Sequence, residues 1–158
     1  MAFAETPIDG LVSRFILLYS LGGIRKHSQR DVMDKILFIS LGAIFGANAR
    51  YLVGLWAAER LGVAFPYGTM LVNISGCFLI GLLNGLIENG LSINPNLRLA
   101  LSIGFLGAYT TFSTFGFESI SLLRAGGAAA ALLNVFLNVT VGLGAVVLGL
   151  YSARLLNG

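Results

Sequence analysis

The sequence predicts an all-α integral membrane protein of four transmembrane helices, the third of them interrupted. Three observations carry that reading. Hydrophobic residues make up 56% of the 158 residues and charged residues 11%, with a mean hydropathy of +0.86, which is more apolar surface than a small soluble core can hide. Four apolar stretches of about 20 residues, the length needed to cross a bilayer, alternate with short polar loops. The third stretch carries Gly104-Phe105-Leu106-Gly107-Ala108-Tyr109-Thr110-Thr111-Phe112-Ser113-Thr114-Phe115-Gly116 in mid-span. Hydroxyls and loosened backbone at bilayer depth cost a few kcal/mol each unless protein, ions or water satisfy them. Such a segment should face another helix or a polar pathway, which points to permeation or binding.

Each span has its own signals. The first is expected from about Ile36 to Ala57, with Arg50 its only full charge. The second begins after Pro66, runs from about Gly68 to Leu86, and is stopped by Glu88-Asn89-Gly90. The third follows Asn94-Pro95, a cap residue before a first-turn proline, and runs from about Leu97 to Leu122. The fourth extends from about Ala128 to Leu150. Short loops make neighbouring helices antiparallel.

Residues 1–32 form an N-terminal extension that departs from this pattern, and residues 33–158 form the four-helix domain. Leu11 to Ile24 contains Arg14 and, at about 14 residues, is too short to span unaided. Three readings stand. A signal peptide lacks a small-residue cleavage site, because Arg25-Lys26-His27 follow the apolar core. An interfacial helix would set Arg14, Arg25, Lys26 and Arg30 against anionic headgroups. The favoured reading starts translation at Met33. From Met33 onward, Lys35, Arg98 and Arg154 lie on the side of the termini and Arg60 and Arg124 on the other. This near balance gives a poor orientation signal, so the chain could insert either way and opposite copies could pair. Adding the cations of the extension would fix one orientation.

Several functions are excluded. Cys77 is the only cysteine and His27 the only histidine, which leaves no disulfide framework, zinc spacing or histidine catalysis. A net charge of +3 is too small and scattered to bind nucleic acid. No nucleophile, base and orienting acid occur together in the spans, so an enzyme is not expected.

The polar residues inside the spans are the candidate site. Thr69, Asn73, Gly76, Cys77 and Asn84 share one face of the second helix. Asn73 offers two N–H donors and an acceptor, which suits an anion that must exchange water for protein donors; the plainer reading is an interhelical hydrogen bond worth about 0.6 kcal/mol. Asn134, Asn138, Gly142, Ala145 and Gly149 line one side of the fourth helix, and this stripe reads mostly as close packing, as do the pairs Gly42/Gly46 and Gly81/Gly85. Arg50 either draws anions toward a vestibule, or snorkels or pairs with Glu59, Glu88 or Glu118. Glu88 and Glu118 lie toward helix ends, where solvation is the default, and Phe112 and Phe115, three apart, are by default core.

Together, Gly68-Thr69-Met70-Leu71-Val72-Asn73 with Gly76, then Gly104-Phe105-Leu106-Gly107 and Thr110-Thr111-Phe112-Ser113-Thr114-Phe115 with Glu118, resemble the CrcB/Fluc fluoride channel family. Gly46-Ala47-Asn48-Ala49-Arg50-Tyr51 on the first span is similar to that family's pattern too. The resemblance covers about Met33 to the C-terminus. It implies a passive fluoride channel of the cell (inner) membrane, built as an antiparallel, dual-topology homodimer with two pores. In that family the residue matching Asn73 donates to permeating fluoride, and those matching Phe112 and Phe115 present ring edges, the positive rim of the aromatic quadrupole. Backbone carbonyls matching Gly107 and Thr110 hold a structural sodium ion at the dimer interface. Ser113 and Thr114 would add hydroxyl donors and Asn138 would belong to a polar track on the fourth helix; Arg50 is the remaining pathway candidate, on its own placement in the first span. Ala108-Tyr109 departs from the smaller, more apolar pair expected there and sets a phenol near the sodium site. Two rivals differ in kind. A proton-coupled exporter of organic cations requires a carboxylate deep in the membrane, and a non-transporting assembly subunit predicts no flux.

Overall fold

A computed structural model describes residues 29–156. The expectations for the extension that involve Arg14, Arg25 and Lys26 lie outside the described residues. The helical bundle forms one compact unit by backbone contacts, from Asp34 onward.

Four helical spans account for the described chain, and no strand occurs among the described residues. The first is a single helix, α1 (Gln29–Leu61), and the second is α2 (Tyr67–Glu88). The third, Pro95–Arg124, consists of α3 (Pro95–Leu99), a wide π-helical stretch (Ala100–Leu106), α4 (Gly107–Tyr109), an extended break at Thr110 and Thr111, and α5 (Phe112–Arg124). The fourth, Ala128–Leu156, is α6 (Ala128–Phe136), a second π-helical stretch (Leu137–Val141) and α7 (Gly142–Leu156).

Every span reaches or exceeds the ends expected from its apolar stretch. The added turns are mostly polar or charged, such as Gln29–Asp34 and Glu59–Arg60, and backbone hydrogen bonding carries a helix past the point where hydropathy falls. Local chemistry then sets the ends. Asn94 accepts the Asn96 N–H at 2.8 Å just before Pro95, as the cap signal requires. Gly90 (φ +100°) and Gly126 (φ +82°) take the left-handed conformation that lets the chain turn back after α2 and α5.

Packing centres on α2. Its closest neighbour is α7, and the approach is backbone to backbone: a Cβ on Gly149 would overlap the Phe78 carbonyl, and one on Gly81 the Val146 carbonyl. On the other flank α1 lies against the π-helical stretch of the third span, where a Cβ on Gly42 would overlap the Ala100 carbonyl and one on Gly46 the Phe105 carbonyl. The small-residue pairs are therefore packing surfaces, as expected. Val72, Leu106 and Tyr109 form the buried cluster, with Ala49, Val53, Ile80 and Phe105 packed around it. Large apolar side chains such as Phe45, Leu52, Leu132 and Val147 face outward, the arrangement suited to lipid.

Candidate permeation site

The site is organised by the break in the third span. Thr110 (φ −87°, ψ 158°) and Thr111 (φ −150°, ψ 113°) are extended; the Thr110 N–H still donates to the Leu106 carbonyl at 3.0 Å, and the Thr111 N–H is the first to leave the helical ladder. A continuous helix would direct the Thr111 N–H to the Gly107 carbonyl. That N–H instead donates to Asn73 Oδ1 at 2.8 Å, while Asn73 Nδ2 donates back to the Thr111 carbonyl at 3.2 Å. A continuous helix would likewise direct the Thr114 N–H to the Thr110 carbonyl; it donates to Thr111 Oγ1 at 3.3 Å, which caps α5. Two side-chain oxygens thus accept the N–H donors that the Gly107 and Thr110 carbonyls would otherwise have. Carbonyl oxygens released from a helix are hard-cation ligands, and an extra side chain at Gly107 would have no heavy atom nearer than the Ser102 carbonyl at 3.9 Å. The residues present fit a sodium ion.

A directed chain of hydrogen bonds leaves the break. Asn73 Nδ2 donates to Asn138 Oδ1 (2.8 Å), Asn138 Nδ2 to Asn134 Oδ1 (2.9 Å), Asn134 Nδ2 to Ser119 Oγ (2.9 Å), and Ser119 Oγ to the Phe115 carbonyl (2.8 Å). It links α2, the fourth span and α5. Asn138 sits in the π-helical stretch of the fourth span and also donates to the Asn134 carbonyl at 3.0 Å. Both N–H groups of Asn73 therefore rest on protein acceptors.

Two cavities flank the break. A groove of about 480 Å³ is lined by Asn73, Cys77, Gly107, Thr110, Phe112 and Asn138, among others, with Phe115 at its wall. Phe112 is 82% exposed in this subunit while Phe115 is 7% exposed; their ring centroids are 5.5 Å apart at 58°. Phe115 is the packed ring that the default reading expects, and Phe112 is not. A second pocket of about 390 Å³ carries Arg50 and Tyr51 against Thr69, Thr111 and Thr114. Thr111 is common to both. Ser113 is exposed beside the break, its Oγ 3.4 Å from Thr111 Oγ1.

A match to the family described as CrcB-like protein, Camphor Resistance (CrcB), extends over residues 37–150, taking in all four spans and every residue just placed. This chain belongs to the CrcB family. Its relatives include proteins named fluoride-specific ion channel FluC. One from Chloroflexus aurantiacus (strain J-10-fl) is 49% identical over 126 residues, covering 80% of this chain and 100% of the relative. Others come from Acidobacterium capsulatum, at 46% identity (73% of this chain, 93% of the relative), and Rhizobium meliloti (strain 1021), at 42% (77% and 98%).

Within this CrcB-family chain the structure adds partners that spacing alone did not show. Thr111 is the hub of the break, although its side chain reads in sequence as one hydroxyl among four. Asn134, 0% exposed, serves the hydrogen-bond chain and not only close packing. Glu118 differs from the solvated helix-end residue expected: it is half-buried, because it lies on the face of α5 turned to α2, where its Oε1 accepts from Thr69 Oγ1 at 2.9 Å. Its Oε2 is buried without a hydrogen-bond partner, so Thr69, not Arg50, holds this acid. Tyr109 turns away from the groove into the bundle, which settles where the phenol goes.

Proposed function

We propose that this chain is a fluoride-selective passive channel of the bacterial inner membrane, in which two antiparallel copies close two pathways. The observation that carries the reading is the joint lining of one groove by the Asn73 carboxamide, the Asn138 carboxamide and the exposed Phe112 ring, beside an interrupted helix. The names of the relatives support the choice of ion.

The geometry suggests how a small anion could pass. Each Asn73 N–H already has an acceptor, so an arriving anion binds by displacing one, the side-chain oxygen of Asn138 being the more readily moved. The exchange trades one hydrogen bond for a charge-assisted one, about twice as strong. The positive rim of the Phe112 ring offers a further contact where no hydroxyl is available. Thr114 offers a hydroxyl in the second pocket, beside Arg50 and Thr111, and Ser113 lies one residue from Phe112. Fluoride, small and strongly hydrated, gains most from short donors in a narrow path. Arg50, in the second pocket, raises the local concentration of anions.

The Gly107 and Thr110 carbonyls would hold sodium, whose fixed positive charge lowers the cost of an anion nearby. In the single subunit Gly107 is exposed, as a site shared with a second copy requires. The proton-coupled exporter is not favoured, since the relatives are named as channels.

Purified protein in liposomes tests this directly. Fluoride should leave loaded vesicles far faster than chloride, without a proton gradient, and replacing sodium by a large organic cation should slow it. Equal release of both halides would refute the proposal.

A further inference from the structure

The break is gripped by α2 at three successive residues. Thr111 is held by Asn73. Thr110 lies over Gly76, where a Cβ would overlap Thr110 Cγ2. Tyr109, the last helical residue before the break, places its hydroxyl 2.9 Å from Ser75 Oγ. At about 100° per residue, Asn73 and Ser75 stand on opposite sides of Gly76 around α2, so the extended segment crosses α2 with a handhold on each side.

The direction of the second handhold follows from proton counting. Ser75 has one hydroxyl proton, and its oxygen lies 2.6 Å from the Leu71 carbonyl, which can only accept. The Tyr109 O–H is therefore the donor to Ser75 Oγ. The Tyr109 ring is also fixed, stacked on Phe105 one turn earlier at 5.6 Å and 11° between planes. A phenol in a membrane protein needs some partner; this one has a partner whose own proton ends on the α2 backbone, together with a ring contact that prevents swivelling.

We propose that Tyr109 and Ser75 are a positioning pair: they stop the turn Gly107–Tyr109 from rolling about α2, and so fix the direction of the carbonyls of Gly107 and Thr110. Asn73 holds only the residue after Thr110, and the two bonds from Thr110 to the Leu106 carbonyl run along the third span itself, so neither ties the turn sideways to α2. The pair touches neither the groove's anion donors nor the cation ligands. Its effect is on how well the carbonyls are aimed, and one of its two readouts rests on the sodium reading above.

Full-length protein carrying Tyr109→Phe, Ser75→Ala, both together, or Ser75→Thr tests the pair. Tyr109→Phe keeps the ring stack and deletes only the hydroxyl, and Ser75→Thr keeps the acceptor. The first readout is the sodium concentration giving half-maximal fluoride flux in liposomes. Tyr109→Phe and Ser75→Ala should each raise it about threefold to tenfold, the range expected for one interior hydrogen bond, with flux at saturating sodium unchanged. The double variant should match either single one, and Ser75→Thr should behave as the unaltered protein. The second readout is amide hydrogen exchange over residues 105–111, which should quicken by a similar factor in Tyr109→Phe and Ser75→Ala while α7 is unaffected. Exchange unchanged in both single variants, or effects that add fully in the double variant, would overturn the pair. If the unaltered protein conducts equally well without sodium, the sodium reading fails instead, and exchange alone decides the pair.

Discussion

Replacing Asn73 by alanine should destabilise the break as well as slow permeation, and the size of the first effect follows from the geometry. Asn73 makes three hydrogen bonds, two to the main chain of Thr111 and one to Asn138. Alanine leaves an amide and a carbonyl of a buried residue without partners, each worth about 1–3 kcal/mol, so the loss should be about 2–5 kcal/mol once non-additivity is allowed for. Against a competing arrangement of the break, 2 kcal/mol already lowers the ratio of competent to competing forms by about thirtyfold. Asn73→Asp provides the control: one oxygen still accepts the Thr111 N–H, while the donors to Thr111 and Asn138 are lost. Equilibrium unfolding in mixed micelles, read alongside fluoride efflux from liposomes, separates the two roles. Alanine should lower both stability and flux. An unfolding change below about 0.5 kcal/mol, smaller than a typical single hydrogen bond, would refute the clamp.

Other outcomes follow from the same contacts. Phe112→Ile should slow fluoride efflux while leaving the elution volume on size exclusion and the unfolding transition unchanged, because the ring is exposed in the groove; Phe115→Ile, in a packed position, should cost about 1–3 kcal/mol of stability. Gly76→Ala should abolish flux, since its Cβ would overlap Thr110, and hydrogen exchange should show the break disturbed while α7 stays protected. Gly149→Ala should weaken the whole bundle by about 1–3 kcal/mol, measured by unfolding, because the carbonyl of Phe78 cannot easily retreat. Arg50→Ala should slow fluoride influx most at low ionic strength, and raising salt well above 0.1 M should narrow the difference as screening takes over.

The spans were legible because hydropathy and helix-end chemistry are local. Asn94-Pro95 marks the start of the third helix both in sequence and in structure. Gly107, Thr110 and Thr111 marked where that helix would loosen, since glycine and hydroxyl residues at depth need an explanation. The mechanism of the break was not legible. Asn73 and Thr111 are 38 positions apart, and nothing in the spacing of either helix shows that a carboxamide closes a two-bond contact with that one peptide. Ser75 gave no signal at all, lying off the polar stripe of α2 on a side that reads as packing. Glu118 is held by Thr69, 49 positions away, and its place near the end of an apolar stretch gives no sign of that contact. The two π-helical stretches leave no composition signature; close contact with α1 and α2 accompanies them, and that contact becomes visible only in three dimensions.

The grip of α2 on the break has a consequence for biogenesis. Asn73, Ser75 and Gly76 belong to the same polypeptide as the segment they hold, and they leave the ribosome before it. A newly inserted copy can therefore shape its own discontinuous helix without help from another chain, while Phe112 and two carboxamides line a groove open to acyl chains. In the pairing proposed above, assembly would join finished halves, and the drive toward it would come from surfaces that the solitary subunit has no other way to cover.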